Sequence, residues 1–481
     1  MLRRLRAIAG EGGVLSEDGD AAPYLVDLTK RYHGTVIAVV RPRSTDEASE
    51  IIRLCAREGV AVTPYGGGTG FCGGAVPGKG QPHIVLSLER MRAIRSLDTI
   101  NNAIVAEAGC TLSQVRDAAA AADRLFPVSH GGEGSSQIGG MIATNAGGNN
   151  VLRYGMARAH VLGLEVVLAD GTVWDGLRLL RKDNAGYDVK QLFIGSEGTL
   201  GVVTAAALAL RPKPLARATA LVAINDPQAA LDLYLRLRAS SGDLMSAFEL
   251  VPRSGLDLHF ARQDVPAEPF ADRHEWMALI EFETAIQSLD LETLMEDLLA
   301  AAFEDGLVRD AAVARSQAQA AALWALREGM AEAQAGNVLI LKSDTSVPLD
   351  AGPDFVRRCS AATQNILAGA TPIPFGHVGD GNIHFNVMAP VGMDAQIFTK
   401  RAGELASAIE DIASALGGSI AAEHGLGQSK VVAAARAKPA AELHMMHRIK
   451  AALDPTGLFN PGKVISPTIS ETDGQQLEDE T

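Results

Sequence analysis

Two short glycine-punctuated segments near the C-terminal end carry residues able to do chemistry. They are His377-Val-Gly-Asp-Gly-Asn-Ile-His384-Phe-Asn386 and Ser419-Ile-Ala-Ala-Glu423-His424-Gly-Leu-Gly. Between Asn382 and Met388 apolar and polar residues alternate. Ile383, Phe385 and Val387 therefore share one face and His384, Asn386 and Met388 the other, as a half-buried strand requires. Gly376, Gly379 and Gly381 allow a bend that turns His377 back toward His384. Two imidazoles and the Glu423 carboxylate leave positions open on a divalent metal, the catalytic rather than the structural pattern. The same residues also fit a pair of satisfied core histidines beside a capped helix, and spacing alone leaves both readings open.

These segments need elements to position them. A chain of 481 residues, 47% apolar and 21% charged, suits two or three soluble domains. No apolar run reaches the eighteen or so residues of a membrane span. A net charge of −14 argues against a nucleic-acid partner. Four cysteines without CxxC spacing fit free thiols in a reducing compartment, with the cytoplasm as default, or the mitochondrial matrix in a eukaryote. The basic start, Met1-Leu-Arg-Arg-Leu-Arg-Ala-Ile, reads as a first amphipathic helix rather than a targeting segment.

Along the chain, strands are expected at 36–40, 60–63, 84–88, 103–107, 161–168 and 172–174. Helices are expected from Ser44 and over 112–122. Pro212-Lys213-Pro214 is the clearest boundary. Beyond it, helical patterns at 228–238, 291–305, 312–335, 402–416 and 440–453 surround strands such as 279–283. The expected organisation is an α+β fold in four stretches. Residues 1–211 form a loop-rich domain and 215–453 an antiparallel sheet covered by helices. A rigid closing segment follows at 454–466, and a disordered acidic tail at 467–481.

Gly68-Thr-Gly70-Phe-Cys-Gly73 matches the dinucleotide pattern GxGxxG, but Ala75-Val-Pro77-Gly cannot open the helix that pattern needs. What remains is a backbone nest in which Gly66, Gly67, Gly68 and Gly70 turn N–H groups toward a phosphate. A second loop, Gly134-Ser135-Ser-Gln-Ile-Gly139-Gly140-Met-Ile-Ala-Thr144-Asn145-Ala-Gly147-Gly148, offers further N–H groups and hydroxyls. Two such loops suit a pyrophosphate carrying a nucleoside at one end and a reactive ring at the other. Tight turns explain one of them as well, and two less well.

Pro64-Tyr-Gly-Gly-Gly-Thr69-Gly-Phe-Cys-Gly73-Gly74 resembles the phosphate loop of the vanillyl-alcohol oxidase / p-cresol methylhydroxylase flavoproteins. The run from Gly139 to Gly148, followed by Arg153-Tyr-Gly, is similar to that fold's second flavin loop. Arg181 to Gly201, with Gly195-Ser-Glu197-Gly198-Thr-Leu-Gly201, looks like the stretch laid against the flavin ring. The C-terminal half, closing on Asn460-Pro-Gly-Lys463, resembles the FAD-linked oxidase domain of D-lactate and D-2-hydroxyglutarate dehydrogenases. The resemblance covers about residues 20–466 and implies a two-part FAD-binding domain of the vanillyl-alcohol oxidase type plus a C-terminal cap domain. Pro64, Gly66–Gly68, Thr69, Gly70, Gly73, Gly74, Gly134, Ser135, Gly139, Gly140, Thr144, Asn145, Gly147, Glu197, Gly198, Gly201 and Asn460 would then bind FAD. No trusted attachment motif surrounds His130, so the cofactor is expected to be non-covalent.

Carried over residue by residue, the resemblance implies that His377, His384 and Glu423 hold a divalent metal, typically zinc, with manganese the alternative. Asn386 and His424 would touch substrate, and Arg327 and Lys342 would meet its carboxylate; singly, those two cations also fit surface roles. A D-2-hydroxy acid would be oxidised to the 2-oxo acid by hydride transfer to flavin N5, with His424 as base for the hydroxyl proton. The acceptor would be an electron-transfer flavoprotein or a quinone, and family habit points to a homodimer. D-2-hydroxyglutarate is the first substrate expected. Those enzymes, however, carry a threonine one turn after the arginine, where this chain has Ala331. A lost hydroxyl costs about 1–2 kcal/mol, which keeps D-lactate, glycolate and other D-2-hydroxy monocarboxylates open. Readings from other classes are a metal-dependent hydrolase, a flavin-binding subunit of a larger complex and a non-haem iron oxygenase.

Overall fold

The computed structural model describes residues 1–466, apart from 79, 263–264, 266 and 335–338. The expected acidic tail, 467–481, lies outside the described residues. The chain divides into two compact units. One takes residues 1–148, 155–213 and those from 423 onward; the other takes 149–154 and 214–422.

The first unit carries two sheets. Strands β1 (Val14–Leu15), β2 (Ala38–Val40), β3 (Ala61–Tyr65) and β4 (His83–Ser87) lie in the order β1-β2-β4-β3, with β4 parallel to both β2 and β3. The helix Thr45–Glu58 makes the crossover between β2 and β3. It begins because the Ser44 side chain accepts a hydrogen bond from Glu47 N–H, and it ends on Gly59 at φ 65°. Ile51, Ile52, Leu54 and Cys55 on its inner face join Val40, Val62, Ile84 and Leu86 in one core. The second sheet is antiparallel. It uses β5 (Ile94–Asp98), β6 (Ala103–Glu107), β8 (Val161–Val167), β9 (Val173–Asp175) and β10 (Val202–Ala209) in the order β5-β6-β10-β8-β9; β7 (Arg124–Leu125) pairs separately with β11 (Arg211–Pro212).

The second unit is built on one antiparallel sheet. Its strands are β12 (Ala216–Ile224), β13 (Met245–Pro252), β14 (Trp276–Thr284), β15 (Asp310–Val313), β16 (Ile340–Leu341), β17 (Thr345–Ser346), β18 (Thr371–His377) and β19 (Asn382–Met388). They run β15-β12-β14-β13-β18-β19-β16, with β17 also paired to β19. Ile383, Phe385 and Val387 bury one face of β19 against Phe355 and Cys359 and against Phe398, Leu405 and Ile409. These come from the helices Gly352–Ile366 and Ala395–Ala415. The other face of the sheet is covered by the helix Gln317–Ala333, whose Leu323, Leu326 and Met330 pack with Ile373 and Phe375 of β18.

Two expectations are corrected. The helix expected from residue 312 starts at Gln317, because Ala311–Val313 pair with Ala220–Val222 as an edge strand and Ser316 supplies the cap. The second domain does not run to 453. The helix Ala440–Leu453 belongs to the first unit, where Ile449 and Leu453 pack against the core of the second sheet and Lys450 Nζ donates to the carbonyls of Thr199 (2.6 Å) and Phe459 (2.9 Å). An amphipathic helix carries no signal in its own sequence for which of two cores receives it. No helix among the described residues is long and apolar enough to cross a membrane. None of the four cysteines forms a disulfide.

Candidate active site

In the first unit the glycine loop follows directly from β3. No helix opens between Gly73 and Pro82 among the described residues, in keeping with the rejection of a dinucleotide fingerprint. The two glycine segments lie against each other. A Cβ on Gly67 would sit 1.9 Å from the Ser135 carbonyl oxygen, and one on Gly66 would sit 3.2 Å from the Gly140 Cα. Gly68, at φ 67°, adopts a conformation that other residues take rarely. Gly66, Gly67 and Ser135 help line a cavity of about 520 Å³, with Tyr24, Arg41 and Tyr65 also on its wall. A Cβ on Gly70 or Gly134 would meet nothing within 4 Å. Backbone N–H groups bare of side chains beside such a cavity fit a pyrophosphate-bearing cofactor.

Other residues expected at the cofactor also help build the unit. Gly139 and Gly201 pass close to Ala108 and Val166, where a Cβ would lie 2.9 and 2.8 Å away, and Gly198 packs on Pro64. Thr144 Oγ1 donates to the Gly140 carbonyl, and Asn145 Oδ1 accepts from Arg158 N–H. Asn145, Glu197 and Asn460 all have positive φ (49°, 51° and 44°), and so does Val464 at 66°. Such strain gathers where surrounding structure over-determines it. The Glu197 carboxylate accepts from the N–H groups of Leu426 (2.7 Å) and Gly427 (2.8 Å). Burial raises its pKa, and those amides oppose the rise. Asn460 Nδ2 donates to the carbonyls of Gly74 and Glu197 and its Oδ1 accepts from Lys463 Nζ. Burial brings the Lys463 ammonium down to about 8, against the pull of Glu197.

That frame fixes the segment carrying Glu423 and His424. Glu423 Oε1 accepts from Gly148 N–H at 2.7 Å, so the second glycine loop holds it. The His424 ring lies 4.9 Å from that of Phe71, inside the first glycine loop. Cys72 Sγ donates to the Gly425 carbonyl, and Gln428 is tied to Cys72 and Gly73.

In the second unit the remaining residues meet on one sheet. Glu249 of β13 stands directly across from His377 of β18, and Phe375 across from His384 of β19. The two imidazole centroids are 5.9 Å apart. Glu249 is fully buried; its Oε1 accepts from His377 Nδ1 at 2.5 Å, and its Oε2 accepts from Arg327 Nε and Nη2, each at 2.8 Å. Burial pushes this carboxyl up, but the charges of His377 and Arg327 outweigh it and leave it at about 2. The Arg327 guanidinium also lies over the Phe375 ring, 4.8 Å from its centroid. Buried Asp344 lies 3.7 Å from His384 Nδ1 and accepts from Asn382 Nδ2.

Asn386 is buried, and its amide accepts from Ser343 N–H and donates to Gln334 Oε1. It thereby fixes the strand end that bears Lys342. That lysine is exposed overall, yet crowding around it lowers its ammonium pKa; it makes no ion pair among the described residues. Its exposure argues that it stays charged near neutral pH. Ala331 is exposed, off the buried Arg327–Met330–Gln334 stripe of its helix.

Glu249, Asp344, Gln334 and Phe71 escaped detection in the sequence. Glu249 did leave a signal: it is an acid inside Met-Ser-Ala-Phe-Glu-Leu-Val-Pro, a strand buried along its whole length. A carboxylate is retained there only with partners.

Residues 213–464 match the family described as FAD linked oxidases, C-terminal domain, and residues 36–176 match an FAD binding domain. The chain is 36% identical to the D-2-hydroxyglutarate dehydrogenase of Xanthomonas citri pv. viticola, over 93% of each chain. Against the mitochondrial D-2-hydroxyglutarate dehydrogenase of Bos taurus it is also 36% identical, over 94% of this chain and 81% of the relative. A putative mitochondrial D-lactate dehydrogenase of Schizosaccharomyces pombe is 34% identical, over 96% of this chain and 89% of that one. The solved structure of p-cresol methylhydroxylase with substrate bound superposes with a TM-score of 0.76 at 17% identity, over 96% of this chain and 95% of that one. The fold is thus the two-domain FAD-binding fold of the p-cresol methylhydroxylase / vanillyl-alcohol oxidase type.

Proposed function

The chain belongs to the FAD-linked oxidase family and is an FAD-dependent dehydrogenase of D-2-hydroxy acids; from that premise we propose that it converts D-2-hydroxyglutarate to 2-oxoglutarate. We propose further that His377, His384 and Glu423 hold a divalent metal, zinc first and manganese second; each offers one ligand atom of a suitable type. The observation that carries this reading is Glu249, one buried carboxylate joined both to a candidate metal imidazole and to a candidate substrate cation. A metal there would supply a Lewis acid for the 2-hydroxyl and its neighbouring carboxylate, and bound FAD a two-electron acceptor for hydride.

The chain's own residues do the rest. His424 accepts the hydroxyl proton as the general base. Arg327 has spent Nε and Nη2 on Glu249, and it presents its remaining N–H groups to carboxylate. Lys342 takes the distal carboxylate, since it makes no ion pair among the described residues and is free to meet one. Asn386 holds Lys342's strand through one bond at each end of its amide and keeps a second N–H and a second lone pair for substrate. Reoxidation by an electron-transfer flavoprotein or quinone, a homodimer, and a cytoplasmic or matrix location are proposed with it; the mitochondrial names of the animal and plant relatives support the last.

The alternative substrates are D-lactate, glycolate and other monocarboxylates. Ala331 and the D-lactate name of the fission-yeast relative favour them. An anaerobic panel of D- and L-2-hydroxy acids, read by bleaching of the flavin band, decides. Bleaching by D-2-hydroxyglutarate at least 10-fold more efficiently than by D-lactate is expected, since a charge-assisted contact to a second carboxylate is worth about 1.5–3 kcal/mol. The reverse order would move the assignment to monocarboxylates. No bleaching by any acid in flavin-loaded, metal-supplied protein would overturn it.

A further inference from the structure

Behind each candidate metal imidazole of the second unit stands a buried carboxylate outside the proposed set of His377, His384 and Glu423: Glu249 behind His377, and Asp344, itself able to offer a metal an oxygen, behind His384. The two are not alike. Glu249 is in hydrogen-bond contact with His377 Nδ1 at 2.5 Å and also holds Arg327 through two nitrogens. Asp344 is 3.7 Å from His384 Nδ1, beyond hydrogen-bond reach, and is tied instead to Asn382.

We infer that Glu249 is a positioning residue that fixes His377 as an Nε2 metal ligand and locks it to the substrate-binding guanidinium of Arg327. The inference rests on the proposed metal role of His377. An ionised carboxylate only accepts hydrogen bonds, so the ring nitrogen facing Glu249 carries the proton. With Nδ1 spent in this way, the donor that His377 offers a metal is Nε2. The cross-strand register of Glu249 with His377 sets the plane of the ring. Arg327, held over Phe375 and against the same carboxylate, completes the arrangement. Any shift of Glu249 therefore moves the metal ligand and the carboxylate-binding cation together. Its effect on metal binding is that of an outer carboxylate orienting a metal histidine.

The test is metal affinity, measured on the flavin-loaded enzyme stripped by chelator and titrated with zinc against a competing indicator. Glu249→Gln, nearly isosteric, is expected to weaken zinc by about 10–100-fold while flavin content stays close to wild type and stability falls with loss of the charge that faces Arg327. Asp344→Asn is expected to change zinc affinity less, since its contact to His384 is longer. Wild-type zinc affinity in Glu249→Gln, or a larger loss in Asp344→Asn, would overturn the inference. A wild-type enzyme that binds no zinc, or binds it equally after His377→Ala, would instead remove the metal reading itself and the inference with it. Should Glu249→Gln fail to fold, the wild-type enzyme with 15N-labelled histidine rings answers the question. A proton on His377 Nδ1 in the zinc-loaded state is expected, and a zinc-bound Nδ1 would overturn it.

Discussion

The two units build their halves of the chemistry from opposite materials. Around Gly66–Gly74 the first unit uses backbone, kept bare where the glycine segments touch: a methyl on Gly67 would fall 1.9 Å from the Ser135 carbonyl oxygen. The second unit uses side chains, buried charges that cancel one another, with Glu249 between His377 and Arg327. The backbone site should fail sterically and tolerate changes of charge. The charged site should fail electrostatically and tolerate changes of shape. Each is fragile only in its own currency, so mutations can tell them apart.

The largest effect is expected from Arg327→Ala, which leaves the fully buried Glu249 without its guanidinium. Removing one partner of a buried pair costs about 3–5 kcal/mol, so denaturant unfolding should show that loss together with loss of activity. A stability change under about 1 kcal/mol would mean that the buried charge network is not what holds this half. Gly67→Ala comes next. Overpacking costs about 1–3 kcal/mol, and the purified protein should be largely colourless. Gly70→Ala, with open space beside it, should leave apoprotein stability within about 0.5 kcal/mol. Equal damage from both would refute the steric account.

Acid separates the halves next. The Glu249 carboxyl is lowered from 4.5 to about 2, so its stabilisation is complete above about pH 4.5 and is lost as the pH falls toward 2. Unfolding free energies measured down that range should fall more steeply in wild type than in Glu249→Gln; parallel slopes would contradict the assignment. The smallest effect is expected from Ala331→Thr. The exposed position should accept the hydroxyl with little change in stability. A gain of about 5-fold in kcat/KM for D-2-hydroxyglutarate, from about 1 kcal/mol of hydrogen bonding, would mark position 331 as a determinant of substrate choice.

Particular residues show how far the sequence could be read. The alternation from Asn382 to Met388 placed Ile383, Phe385 and Val387 in the core and His384 on the opposite face, and the strand is built that way. The β–helix–β start, the capped helix at Ser44 and the boundary near Pro214 were equally legible, because caps, periodicity and proline act within a few residues. Glu197 and Asn460 were expected at the cofactor, and their side chains also brace Leu426, Gly427, Gly74 and Lys463. A motif marks a residue as needed and does not say which neighbour needs it.

By itself, then, the sequence determined the elements, the glycine-bare loops and the chemical types of the candidate ligands, since these follow from local sterics and periodicity. Only the tertiary structure decided that Glu249 stands across from His377 and reaches Arg327, 78 residues further along the chain. It alone assigned the helix Ala440–Leu453 to the first unit. Strand register and the choice of core are set by contacts distant in sequence, and a buried charge shows its role only once its partners are in place.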